Sequence, residues 1–387
     1  MDAFQFKLRT QVYYGPGRRH ELAELLKQRG YRRVGMVIDR ALPELPLYQD
    51  WLDALRREVD ALHVLVYQAP FEPTYGYLDQ IKDVFRDREV DVLVGVGGGS
   101  VMDTTKGLAV LTTNPVERAV ELRGFPTDIR PPIPVVMVPT VAGTGSEVTY
   151  FAVFTDEDEG RKFGINTEYN FPVFALLDPE LTTTAPRQAS LSSALDGLVH
   201  ALESFMSVRH TPFTRPWSMA AVGHLVRGLR GLMADLTDVA ARGELMKGSY
   251  LAGAALMNAS AGPAGALSYP LGVFYHTPHG LAGAFFLQHI LPYNLARGYT
   301  DFADLAPYIL PEPWPADRTE RAAAVVRTLQ GLIRDAGIPA RLRDWGIPQA
   351  DLDRIADHAI AYLWPAFEMN PVPMSQQDAR DWLASLW

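Results

Sequence analysis

Asp196 and His200 stand four residues apart in Ser193-Ala-Leu-Asp-Gly-Leu-Val-His-Ala-Leu-Glu203, a stretch with a helical pattern. Residues four apart share one face of a helix, so a carboxylate oxygen and an imidazole nitrogen can reach the same ion. A pair of this kind suits Fe2+ or Zn2+. An exposed Asp–His pair has the same spacing; the flanking Leu195, Leu198, Val199 and Leu202 favour an enclosed one. Further donors come from GALSYPLGVFYHTPHG, residues 265–280, where His276 and His279 lie three apart. His279 falls between Pro278 and Gly280, where a helix can begin, and His289 is expected to pack on the helix that follows. His20, His63, His210, His224 and His358 stand alone in the sequence and read as ordinary surface or core residues.

A different chemistry is suggested by Gly95-Val-Gly97-Gly98-Gly99-Ser100, which follows an apolar strand pattern and opens a helical one. Without a Cβ the backbone can approach a diphosphate, and the unpaired N–H groups of a first helical turn can donate to it. The strict dinucleotide fingerprint is not met, because Ser100 stands where its last glycine would fall. A tight structural turn explains one such loop equally well. A second polar, glycine-containing strand end, Thr140-Val-Ala-Gly-Thr-Gly-Ser146, favours the phosphate reading. Asp39 also ends an apolar run, where a carboxylate can accept ribose hydroxyls and repel a 2′-phosphate. A turn cap in Asp-Arg-Ala-Leu accounts for it as well.

These residues need elements to position them. Phe4 to Tyr14 alternates at period two and ends in Gly-Pro-Gly, the pattern of a strand and turn. Helical and strand-like segments then alternate: a helix over Glu21–Arg29, a strand over Arg33–Asp39, a helix over Tyr77–Arg88, and strands over Val90–Val96 and Ile133–Val138. Alternation of this kind implies a parallel sheet with ligands at its carboxyl edge. From Pro186 onward helical patterns dominate, at Ser190–Val208, Pro216–Leu232, Arg318–Ala336 and Leu352–Leu363. The expected architecture is an α/β dinucleotide-binding domain with a parallel sheet, residues 1–185, followed by an all-helical metal and substrate domain, residues 186–387. The two are expected to enclose a cleft.

Composition narrows the function classes. The 387 residues have an ordinary globular balance, 48% hydrophobic and 21% charged, which leaves room for two domains. With no cysteine, disulfides, thiolate ligands and a cysteine nucleophile are excluded. A net charge of −9 without a basic block argues against nucleic acid. No apolar run is long enough for a bilayer and the first residues lack a signal-peptide pattern, so a cytoplasmic enzyme is expected.

Taken together, the motifs resemble the iron-dependent (group III) alcohol dehydrogenase family over essentially the whole chain. The matching stretches are Gly97-Gly98-Gly99-Ser100 with Asp103 and Lys106, Pro139-Thr140 with Ala142-Gly143-Thr144 and Glu147-Val148-Thr149, Arg161-Lys162-Phe163, Leu177-Asp178-Pro179, Asp196 with His200, and Pro270-Leu271-Gly272 with Thr277-Pro278-His279-Gly280. The resemblance implies NAD, with NADP possible, held by Asp39, Gly97, Gly98, Gly99, Ser100, Asp103, Thr140, Thr144, Thr149 and Lys162. It also implies a divalent metal, Fe2+ or Zn2+, on Asp196, His200 and His279, a small alcohol, aldehyde or ketone substrate, and a homodimer.

Four-ligand members of that family take Asp and three histidines, and the ligand fourteen residues before the Thr-Pro-His-Gly histidine falls on Gly265 here. Tyr269 stands where many members have histidine before Pro-Leu-Gly. Three protein ligands and water make a sufficient open catalytic site. The vacancy is expected to leave room for water, for a bulkier substrate group or for His276. If no metal binds, Tyr269 and His276 are the candidate proton donors beside His279. Two other readings stand: a nucleotide-binding protein with little activity, and a lyase like dehydroquinate synthase.

Overall fold

The computed structural model describes residues 3–70 and 72–387, which form two compact units, one within Leu8–Ala185 and a second made of Pro186–Trp387 together with residues 3–7. The α/β unit holds strands β1 (Gln11–Tyr14), β2 (Arg33–Asp39), β3 (Ala61–Tyr67), β4 (Val92–Gly97), β5 (Val135–Pro139), β6 (Val153–Asp156), β7 (Arg161–Gly164) and β8 (Phe174–Leu177). Its helices are α1 (Leu22–Lys27), α2 (Pro46–Glu58), α3 (Tyr75–Ile81) and α4 (Gly99–Thr113). Six strands form one parallel sheet in the order β1-β8-β5-β4-β2-β3, and β6 and β7 pair as a separate antiparallel hairpin. The central strands β4 and β5 are buried along their whole length, as parallel strands covered on both faces must be.

The chain passes from β3, on one side of β2, to β4 on the other. The loops after β2 and β4 therefore leave the sheet at a switch in strand order, where open α/β sheets bind ligands. Asp39 and Gly97 end those two strands.

The expected strand from Phe4 is a correction. Pairing begins only at Gln11, and the described residues 3–7 belong to the helical unit. Phe4 meets Phe213 edge-on at 5.3 Å, Phe6 meets Trp217 at 5.4 Å, and the Lys7 N–H donates to Asn258 Oδ1. Alternation made these residues look like sheet, but aromatic packing on helices claims them. The helix expected over Tyr77–Arg88 is likewise shifted: the Thr74 hydroxyl accepts from the Tyr77 N–H and starts α3 at Tyr75, and the chain turns after Ile81.

The second unit is built of helices α5 (Arg187–Met206), α6 (Thr214–Ala234), α7 (Val239–Ala259), α8 (Pro263–Tyr275), α9 (His279–Ala296), α10 (Ala306–Ile309), α11 (Arg318–Asp335), α12 (Leu352–Phe367) and α13 (Gln376–Ser385). Proline occupies the first turn of α8, where its missing N–H costs nothing, and Pro278 precedes α9. His289 lies on α9 with its ring 5.0 Å from Phe285, and its buried Nε2 has no hydrogen-bond partner. Burial pulls its pKa down to about 4, against a hydrogen bond to the Ala340 backbone.

Because the unfolded chain binds that proton more tightly, His289 adds stability that is full above the unfolded value near 6.5 and is lost as pH falls towards 4. A His289→Phe variant is expected to flatten the stability-versus-pH curve in that window by on the order of 2–3 kcal/mol. Urea unfolding at pH 4.5 and 7 measures it; an unchanged slope would refute a buried neutral histidine.

Candidate functional site

In the α/β unit, two loops at the carboxyl ends of β4 and β5 lie against each other. Gly98 caps α4, the Thr140 N–H donates to the Gly97 carbonyl at 3.0 Å, and a Cβ on Gly99 would lie 2.9 Å from Thr144 Cγ2. A Cβ on Gly97 would be 2.6 Å from Val101, so this turn closes only with glycine. The first-turn amides of α4 and its macrodipole favour an anionic ligand here.

Asp39 Oδ1 accepts from the Ala41 N–H at 2.9 Å, a turn cap at the strand end. Thr140 and Thr149 are buried, the Ser146 N–H donates to Thr144 Oγ1, and Lys162 pairs with Glu72. Asp103 accepts from Ser146 Oγ at 2.6 Å and from the Val153 N–H at 3.0 Å. Burial raises its pKa, against Lys106 and those two donors.

Lys106 is wholly buried and donates to the Ser146 carbonyl, Ser146 Oγ and the Phe151 carbonyl at 2.7–2.8 Å. Burial pulls it down to about 8, opposed by Asp103 and Glu147. It thus ties α4 to the Thr140–Thr149 loop. Lys106→Met should destabilise the protein by about 3–5 kcal/mol, since it strands a buried carboxylate and two carbonyls. Urea unfolding tests this, and a loss under 1 kcal/mol would mean the loop is held by other contacts.

In the helical unit, α5 carries Asp196, His200 and Glu203 at i, i+4 and i+7, one stripe of a single helix. His279 is the first residue of α9. Asp196 Oδ1 lies 3.5 Å from His200 Nε2 and 3.7 Å from His279 Nε2, and one donor atom from each residue falls within 4.8 Å of the others. Two atoms each about 2.1 Å from a tetrahedral ion are about 3.4 Å apart, so the spacing fits one divalent cation. Asp196 is 5% exposed, and its Oδ1 faces both imidazoles. A buried carboxylate between two imidazole nitrogens is the donor set of a hard-to-borderline metal.

Helices α5 and α9 meet closely here. A Cβ on Gly280 would lie 1.9 Å from the Ser192 carbonyl oxygen and 2.8 Å from Asp196 Cβ.

A Cβ on Gly265 would lie 2.9 Å from Glu203 Oε2, so a carboxylate is its nearest side-chain neighbour. Glu203 is 2% exposed and accepts from the Gly262 N–H at 2.8 Å and the Gly265 N–H at 3.0 Å. Burial raises its pKa, opposed by the backbone donors at the start of α8.

The idea that His276 fills the position is corrected. His276 is exposed and caps the far end of α8 at φ +53°, eleven residues on, which is about 16 Å along a helix axis. Tyr269 stays close, with its ring 5.2 Å from that of His279.

Two participants went unnoticed in the sequence. Glu203 was visible as the next member of the Asp196–His200 stripe. Ser268, buried on α8 with Oγ 2.8 Å from His279 Nδ1, gave no signal beyond its type.

Comparison with known proteins shows the family. Residues 9–179 match the model of the iron-containing alcohol dehydrogenases, and residues 190–387 match that family's C-terminal model. The chain is 30% identical to lactaldehyde reductase of Escherichia coli K12 over 91% of its length and 92% of the relative's. It is 28% identical to the NAD-dependent methanol dehydrogenase of Bacillus methanolicus, over 94% of each. Among solved structures, an alcohol dehydrogenase from Oenococcus oeni superposes with a TM-score of 0.92 at 28% identity, with both chains fully covered. A sheet with glycine loops at its switch point, a helical unit with an Asp-His-His cluster and both family matches lead to one assignment: the chain belongs to the iron-containing alcohol dehydrogenase family.

Proposed function

We propose that this protein transfers hydride between a nicotinamide cofactor and a small alcohol or carbonyl compound, as an NAD(P)-dependent alcohol dehydrogenase or aldehyde/ketone reductase. The observation that carries the reading is the convergence of Asp196, His200 and His279 in a chain of this family. An oxidised alcohol would release its hydride to NAD+ and its hydroxyl proton to a base, giving carbonyl compound, NADH and H+. Asp196, His200 and His279 would hold a divalent ion, Fe2+ or Zn2+, which when bound supplies a Lewis acid for the substrate oxygen.

The chain's own residues supply the rest. The first-turn amides of α4, behind Gly97, Gly98, Gly99 and Ser100, would receive the diphosphate. Asp39, at the switch point, would exclude a 2′-phosphate and favour NAD. Asp103, which accepts from Ser146 Oγ, and Thr140, Thr144, Thr149 and Lys162 belong to the same proposed nucleotide site. Tyr269, beside His279, is the nearer candidate for moving the substrate proton, and the exposed His276 the more distant one.

No observation favours the non-catalytic or lyase readings. The former rested on a depleted ligand set, whose three remaining members lie together. We further place the protein in the cytoplasm as a homodimer; β1 is one edge of the six-stranded sheet, where a second copy could pair. Among the described residues no helix is long and apolar enough to cross a membrane.

The test is to follow NADH absorbance with short aldehydes and ketones, before and after loading with Fe2+ or Zn2+. Turnover that depends on the metal supports the proposal. Binding of NADH without turnover of any carbonyl or alcohol would overturn it.

A further inference from the structure

Two hydrogen-bonded links meet at the backbone of Gly265. Glu203, on α5 one turn beyond His200, accepts from the Gly265 N–H at 3.0 Å. The Gly265 carbonyl accepts from Ser268 Oγ at 2.5 Å, and Ser268 Oγ lies 2.8 Å from His279 Nδ1. Ser268 is fully buried, so water cannot substitute for either partner.

The proton count along these links is restrictive. A hydroxyl has one proton, and a carbonyl can only accept. The Ser268 proton is committed to Gly265, so the contact with His279 must be made by Nδ1–H donating to Oγ. In the neutral ring Nε2 then bears the lone pair, and it faces Asp196 Oδ1 at 3.7 Å.

We propose that Ser268 is a positioning residue that sets the tautomer and ring angle of His279, so that Nε2 is presented as a metal donor, with Gly265 and Glu203 as its anchor. The proposal rests on the metal reading of Asp196, His200 and His279. It also gives the glycine at 265 a task. Both its backbone groups take part in these links, and a Cβ there would press on Glu203 at 2.9 Å. One helix, α5, thereby supplies two ligands directly and orients the third through α8.

The experiment uses full-length protein and Zn2+ as the probe, measured by competition with a chelator. Ser268→Ala should weaken Zn2+ binding 10- to 100-fold, the usual cost of losing a partner behind a ligating histidine. Its helical circular dichroism and NADH affinity should be those of the parent. Wild-type Zn2+ affinity in Ser268→Ala would overturn the proposal.

His279→Ala separates the two readings. If it abolishes Zn2+ binding while Ser268→Ala does not, only the Ser268 role fails. If neither variant changes binding, the metal site itself fails. A measurement without disturbing Ser268 uses 15N-histidine-labelled apo protein, with His279→Gln for assignment. The His279 resonances should be those of a ring protonated at Nδ1, and a ring protonated at Nε2 alone would overturn the proposal even if Ser268→Ala does not fold.

Discussion

Asp196→Ala should bind Zn2+ or Fe2+ two to three and a half powers of ten more weakly than the parent, and carbonyl turnover should fall with it. Asp196 is the only anionic member of the cluster, and its Oδ1 lies within 3.7 Å of both imidazole nitrogens. Removing one charge from a buried, paired set costs about 3–5 kcal/mol, and each 1.4 kcal/mol is a factor of ten. Neutral imidazoles alone cannot balance a dication in this buried setting. The loss should appear in metal stoichiometry after dialysis and in kcat/KM, with NADH affinity retained, since the glycine loops belong to the other unit. Full metal retention in Asp196→Ala would mean that the ion sits elsewhere.

Gly280→Ala is the second large effect, and it needs no loss of a functional group. The added methyl would lie 1.9 Å from the Ser192 carbonyl oxygen, a backbone atom that cannot rotate aside. The start of α9 must move away from α5, carrying His279 from Asp196. Overpacking of this kind costs about 1–3 kcal/mol and more where backbone is the obstacle.

We expect a melting temperature lower by several degrees and Zn2+ affinity reduced more than tenfold. Gly283→Ala, three residues on, is the internal control. Its Cβ would meet Val199 Cγ2 at 3.2 Å, and a side-chain methyl can shift by that much. Equal effects at 280 and 283 would show that helix composition, rather than the close approach at the ligands, is responsible.

Much of this was legible one element at a time. β2 occupies Arg33–Asp39, the bounds its apolar run suggested, because the five residues between its charged ends are buried and must be apolar or glycine. α11 begins at Arg318, where the side chain of Asp317 caps the Glu320 N–H. Asp196 and His200 could be paired in advance because helical geometry relates residues four apart regardless of surroundings.

Phe4–Lys7 could not be placed this way. Alternation reports that one face is buried but not what buries it, and here helices do.

Gly265 marks the limit most clearly. In the chain it is an absence, a position without a ligand. In the fold its N–H and carbonyl join Glu203 to Ser268, and the space beside it holds a carboxylate. His276, three residues before His279, is carried to an exposed helix end, while Ser268, eleven residues before His279, is brought to its Nδ1.

What the sequence determined by itself was the inventory of donors, the two fold classes and the strand ends carrying glycine, because those depend on residue type and local periodicity. The tertiary structure alone decided which donors meet, which backbone groups orient them and where a Cβ is excluded. Those depend on distances between helices, and no spacing along one helix encodes its separation from another.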